Sequence, residues 1–197
     1  MNRSAFFFIV ILSFPFLLTA QSPYKVVKPA KSDLILPKPM NRLGFSASTM
    51  SGVGLNLLHF FDDKVGARLV LGAYYSETSA NQWYFYNSTG LEVQYNVYET
   101  KIARFYPLMG LNFRYTEDKY LKNKSQFDKI TRNYTLGVGW GIELLIARLV
   151  AIHGEVGYHF IRHAQYNYDV NFKSQDLDFI EKNIKFLGFG VGASVAF

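Results

Sequence analysis

Residues 150–170 read VAIHGEVGYHFIRHAQYNYDV, and parity splits them into two chemistries. The even positions Val150, Ile152, Gly154, Val156, Tyr158 and Phe160 are aliphatic and then aromatic, with Arg162 beyond them. The odd positions include His153, Glu155, His159 and His163, which are ionisable. A period of two puts the sets on opposite faces of a β-strand, whereas helical spacing would mix them. At about 3.4 Å per residue and a tilt near 40°, the apolar run from Val150 to Phe160 covers roughly 26 Å, the height of the apolar band on a transmembrane barrel.

The same alternation recurs outward along the chain. Leu187, Phe189, Val191, Ala193, Val195 and Phe197 share one face, with Gly188, Gly190, Gly192, Ser194 and Ala196 on the other. Tyr134, Leu136, Val138, Trp140 and Ile142 oppose Asn133, Thr135, Gly137, Gly139 and Gly141, and Phe105, Pro107, Met109, Leu111 and Phe113 oppose Arg104, Tyr106, Gly110, Asn112 and Arg114. A soluble sandwich has no use for glycines on its polar face. The inside of a narrow tube needs them wherever large side chains converge. In lipid a sheet must also close on itself, because each unpaired backbone group costs several kcal/mol. The sequence therefore predicts an all-β protein, an eight-stranded antiparallel transmembrane β-barrel.

The strands are expected near 42–50, 52–60, 65–76, 85–98, 102–116, 131–145, 150–168 and 184–197. Short turns near Asp62–Lys64, Glu99–Lys101 and residues 147–149 would face the periplasm, and the longer links 77–84, 117–130 and 169–183 would be outer loops. The link at Met50 and Ser51 is too tight for that pattern. A register centred on Arg148 would place Glu143 opposite His153 and Gly137 opposite His159.

The 41–197 body has a single proline, Pro107, whereas Pro23, Pro29, Pro37 and Pro39 crowd residues 21–40 together with Lys25, Lys28, Lys31 and Lys38. Proline lacks the donor a β-ladder needs, so 21–40 reads as an extended periplasmic linker. Residues 1–20 carry Arg3, an apolar run from Ala5 to Leu18 and then Thr19-Ala20-Gln21. That run is too short to span a bilayer as a helix and fits a signal peptide cleaved after Ala20. The 197-residue chain has no Cys, which excludes thiol nucleophiles and cysteine–zinc sites. Its net charge of +6 is scattered, with no basic stripe for nucleic acid.

Ionisable residues of lumen parity form the main candidate site. Arg68, Arg104 and Arg114 are expected to meet Glu92, Glu143 and Glu155 in a polar network, with His153, His159 and His163 filling the gaps, since buried charge needs pairing. A zinc site is disfavoured, because residues two apart on one strand sit roughly 7 Å apart and one strand cannot gather the ligands. The glycine runs at 137–141 and 188–192 lack the helix a phosphate loop requires. No cofactor is expected.

With its signal peptide, its alternating strands and a last strand ending Val195-Ala196-Phe197, the chain resembles the small outer-membrane barrels of the OmpA/OmpX-like type in Gram-negative bacteria, over residues 41–197. The resemblance implies an integral protein of the cell outer membrane, and it makes Phe197 the signal read by the barrel-assembly machinery. It further implies contact with outer-membrane lipids and lipopolysaccharide, for which Arg132 and Arg162 lie on the lipid-facing parity near the outer strand ends. The expected role is non-enzymatic and structural, or one of surface interaction through the outer loops, around a side-chain-filled lumen. Two alternatives are a narrow pore for ions or small solutes and a lipid A-modifying barrel enzyme. The enzyme needs a hydroxyl within reach of a histidine, and Ser76, Ser88, Ser125 and Ser174 are expected in or near loops.

Overall fold

The structure is a computed structural model that describes residues 41–79, 82–122, 125–146, 149–169 and 178–197. The 1–20 segment and the 21–40 linker lie outside these residues. Each alternating stretch forms a strand: β1 Asn41–Ser48, β2 Gly52–Phe60, β3 Val65–Ser79, β4 Gln82–Tyr95, β5 Tyr98–Glu99, β6 Ala103–Lys122, β7 Ser125–Ile146, β8 Val150–Asp169 and β9 Asp178–Ala196. β5 is a two-residue pair against Phe105 and Arg104. The other eight form an antiparallel sheet that closes where β1 pairs with β9 (Leu43↔Val195) and where β4 pairs with β6 (Leu91↔Leu111). Glu143 stands opposite His153 and Gly137 opposite His159, the register expected from a turn centred on Arg148.

The large apolar side chains face out. Leu136 and Val156 are each 41 % exposed and Val191 63 %, although all three lie mid-strand. In water such a band would be an untenable surface, so the wall is built to be covered by lipid. Around one rim of the band stand Tyr75, Phe85, Tyr115, Tyr134 and Phe160. Phe85 and Tyr115 have ring centroids 6.2 Å apart, and Phe113 and Tyr134 5.0 Å. Aromatic rings with polar tips suit that boundary.

Two expected loops are largely strand, and the described ends of the third are strand as well. β3 continues to Ser79 and β4 begins at Gln82, replacing most of the 77–84 link. β6 and β7 pair all the way to Lys122↔Ser125, which converts the 117–130 loop into a tight hairpin, and β9 begins at Asp178 rather than residue 184. Past the aromatic rim the described side chains on both faces are, Thr131 excepted, exposed or half-exposed, so the apolar–polar alternation stops although the backbone ladder does not. The strands on the other side of the barrel are much shorter: β1 ends at Ser48 and β2 begins at Gly52.

Candidate functional site

At the end of the barrel that carries Asn41 and Phe197, here the terminal end, lumen-facing side chains from six strands join in one charge-balanced network. Glu143 on β7 pairs with Arg42 on β1 and, at 3.0 Å, with Arg104 on β6. The Arg104 guanidinium also donates to the Gln94 carbonyl oxygen at 2.9 Å, and the Gln94 amide donates to Glu92 at 2.7 Å. Arg68 on β3 pairs with Glu92 at 3.1 Å and with Glu155 on β8, and His153 Nε2 lies 3.7 Å from the Glu155 carboxylate. Three guanidinium groups thus meet three carboxylates, each group at most 3 % exposed. Burial at that depth requires such pairing, because an isolated charge would cost several kcal/mol. Phe60 and Tyr106 pack flat against the network, with the Arg104 guanidinium 4.4 Å and 4.8 Å from their ring centroids. Gly141 leaves room for the Tyr106 ring, and Gly192 for His153.

Above the network the bore is filled by backbone. The β1–β2 turn does not reach out of the barrel. It folds into it, and Met50 and Ser51 are both 0 % exposed. Ser48 Oγ accepts the Met50 amide at 3.1 Å, which begins the reversal, and Gly52 completes it at φ 96°, in the left-handed region that favours glycine. The wall around the turn is glycine on successive strands. A Cβ at Gly90 would run into the Ser51 carbonyl, at Gly137 into the Met50 side chain, at Gly157 into the Met50 sulfur and at Gly188 into the Thr49 hydroxyl. At Gly110 it would lie 3.3 Å from the Met50 carbonyl oxygen. This is the physical reason for glycine on the polar face: it makes space for an internal plug.

Past the plug the six longer strands form a vestibule, and several expected network members stand there instead. Arg114 lies over the Tyr86 ring at 5.8 Å. His163 Nδ1 contacts the Asn133 carbonyl oxygen at 2.7 Å. His159 stacks on Phe186 with centroids 5.2 Å apart, and its Nε2 is 3.0 Å from the Thr49 hydroxyl. The expected nine-residue network is therefore divided. Arg68, Glu92, Arg104, Glu143, His153 and Glu155 gather at the terminal end, Arg114 and His163 line the vestibule, and His159 is buried between the two, against the plug. Ser88, expected near a loop, lies in the β4 wall, where its hydroxyl accepts the Asn112 amide at 3.0 Å. Ser76 lies within β3 and Ser125 opens β7, while Ser174 is outside the described residues. Thr49 and His159 bring a hydroxyl to an imidazole, but the Thr49 hydroxyl also donates to the Phe189 carbonyl at 3.0 Å. With that proton committed, the contact with His159 holds the plug to the wall.

The two rim arginines point outward. Arg132 lies over the Tyr166 ring at 5.4 Å, and Arg162 donates to Glu181 at 2.5 Å. Phe197 is exposed on the lipid side, and its amide donates to the Asn41 carbonyl at 3.1 Å across the β1–β9 seam. Sequence reasoning missed Arg42 and Gln94, both of lumen parity, because each sits in a strand with weak alternation. It also missed the plug. Its available signal was the combination of a tight Met50–Ser51 link with more glycines than the charged side chains needed.

No protein-family model matches this sequence, and no curated protein does. Among solved structures, the barrel is similar to a major outer membrane protein of Thermus thermophilus, with TM-score 0.51, 12% sequence identity, and 80% of this chain and 98% of that one covered. Acinetobacter baumannii CarO aligns with TM-score 0.38 and 12% identity over 81% of this chain and 98% of its own. The outer membrane protein AlkL aligns with TM-score 0.42 and 13% identity over 86% and 94%. At such low identity the likeness is one of fold: this chain shares the eight-stranded antiparallel barrel of an outer-membrane protein.

Proposed function

We propose that the chain is an integral outer-membrane protein that spans the membrane without conducting through it, contributing to envelope integrity and presenting its far end at the cell surface. The single observation that carries this reading is the double occlusion of the bore, by the Arg42–Glu143–Arg104 and Glu92–Arg68–Glu155 network and by the buried Met50–Ser51 turn above it. Eight strands enclose an interior that side chains just fill, and here main chain fills it as well. The narrow-pore alternative would require both layers to move. In the same reading, Arg132 and its Tyr166 partner meet lipopolysaccharide phosphates at the outer rim, and Phe197 serves barrel assembly. Arg162 contributes less, since Glu181 already takes its charge.

Planar-bilayer recording of the purified full chain tests the proposal. Wild type is expected to give no unitary current steps. Replacing Met50 and Ser51 together by glycine while neutralising Arg68 and Glu155 is expected to produce them. Reproducible steps from wild type would sink the sealed-barrel reading.

A further inference from the structure

Among the described residues, the barrel wall is complete only at the terminal end. The β1–β9 ladder ends at Ser48↔Gly190, with one further backbone bond from the Thr49 amide to the Phe189 carbonyl at 3.0 Å, and the β2–β3 ladder ends at Leu55↔Leu71. Above those points, residues 73–79 of β3 pair only with β4, and residues 178–188 of β9 only with β8, among the described residues. Two absent strands leave about 14 Å along the wall. β9 behaves as the edge of an opening there, since its inward-facing Ile180 and Ile184 are exposed along with its outward-facing Phe179. The lower lip of the gap is in lipid. Leu187 on one side, and Ala73 and Tyr75 on the other, are outward residues of the apolar band that stand above the last paired positions, before Lys185 and Glu77 mark its limit. The gap thus begins roughly 5 Å inside the apolar layer.

What lies behind the gap has a matching polarity. Cross-strand register sets Arg114, Asn133, His163 and Lys182 in one row on the inner face, running from β6 to the open edge of β9. This row is basic, and the Arg114 Nε is buried without a hydrogen-bond partner. The next row toward the plug carries Ile161 and Ile184, with Phe186 beyond them, and Tyr74 and Tyr84, diagonal neighbours on β3 and β4 with ring centroids 6.4 Å apart, cover the inner face on the other side of the gap. We infer that the vestibule is a lateral binding site for a long-chain amphiphile with an acidic head, either a lipid of the outer leaflet or a free long-chain acid. The head rests on the Arg114–Lys182 row. The chain lies along the Ile161–Ile184 shelf and leaves through the gap between β3 and β9. A hydrocarbon chain fits this opening better than a peptide strand does, because Lys182 and Lys185 place charge along the β9 edge and oppose strand addition. The inference needs a barrel seated in a membrane but not a sealed bore, so conductance and the following experiment can fail separately.

The two native tryptophans, Trp83 and Trp140, are replaced by Phe, and a single reporter Trp is placed at Tyr74. The full chain is reconstituted in phosphatidylcholine vesicles, and quenching is read with brominated stearic acid, brominated stearyl alcohol or brominated phosphatidylglycerol. Leu136→Trp on the lipid face and Tyr106→Trp in the network provide the exposed and shielded limits. Trp at position 74 is expected to lose about half its emission to the acid, as a group in van der Waals contact with the chain should. Arg114→Gln should weaken that effect about tenfold, the worth of one charge-assisted hydrogen bond. Quenching by the phospholipid as well identifies a membrane lipid as the occupant, whereas quenching by the acid alone identifies a free amphiphile. A reporter as shielded as Trp at Tyr106 overturns the site, all the more if the amides of residues 178–188 exchange slowly, because another polypeptide then fills the gap. Equal quenching by acid and alcohol overturns the assignment of an acidic head.

Discussion

The two ends of this barrel solve different problems with the same strands. At the terminal end eight strands close around a narrow bore in which three arginines pair with three carboxylates, and the outward apolar residues meet lipid. At the far end six strands continue without β1 and β2, and among the described residues the inner face is half-exposed in a chamber open on one side. Constraint decides the difference. Where lipid and a filled lumen press on opposite faces, a substitution must satisfy both. Where water reaches both faces, the ladder persists with little demand on side-chain type.

The largest expected effect should come from the buried network. Glu143→Leu strands the Arg42 and Arg104 guanidiniums and is expected to cost about 3–5 kcal/mol, read as urea-dependent folding into vesicles. The far-end counterpart Glu181→Leu breaks the exposed pair with Arg162, and its expected cost is about 0–1 kcal/mol. Equal costs would erase the distinction between the ends. The outer surface gives the next contrast. Arginine at Leu136 should cost about 2–4 kcal/mol, against about 0–1 for Phe179→Arg beyond the rim, and comparable values would move the lipid boundary.

The plug gives a third test. Gly90→Val drives a side chain into the Ser51 carbonyl and should cost about 1–3 kcal/mol, while Gly154→Ala, with nothing within 4 Å of the added carbon, should be close to neutral. Thermal melting in detergent distinguishes them. The smallest effect lies in the turn after β2. Backbone hydrogen bonds from Val65 and Lys64 hold the exposed Asp62 carboxyl below its ordinary value of 3.8. A carboxyl lowered on folding lends its full stabilisation above that value and withdraws it as pH falls through the folded one. Lower protection factors for the Lys64 and Val65 amides below about pH 4 are therefore expected in wild type, and Asp62→Asn should lose this pH response.

Legibility followed the same division. The β7–β8 register was readable because a short turn at a fixed centre leaves one pairing that keeps every apolar residue outward, and a slip by one position would turn Glu143 and His153 into lipid. Residues 117–130 were unreadable as strand because their sequence carries no apolar–polar alternation, although Lys122 still pairs with Ser125. Of the candidate site, Arg68, Arg104, Glu92, Glu143 and Glu155 could be placed on the lumen face by parity alone. Which of them touch depends on how six strands stack around the bore. Arg114 shares the lumen parity yet stands a full layer away, over Tyr86.

By itself, the sequence determined a closed sheet with greasy outside and polar inside, since a two-residue period under two opposed solvents admits no other backbone. Tertiary structure alone decided that the β1–β2 turn enters the lumen, because glycines scattered from Gly90 to Gly188 become one collar only after the wall has closed around them. It also decided where the wall stays open: strand length is a local property, whereas a missing neighbour exists only once the sheet has curled.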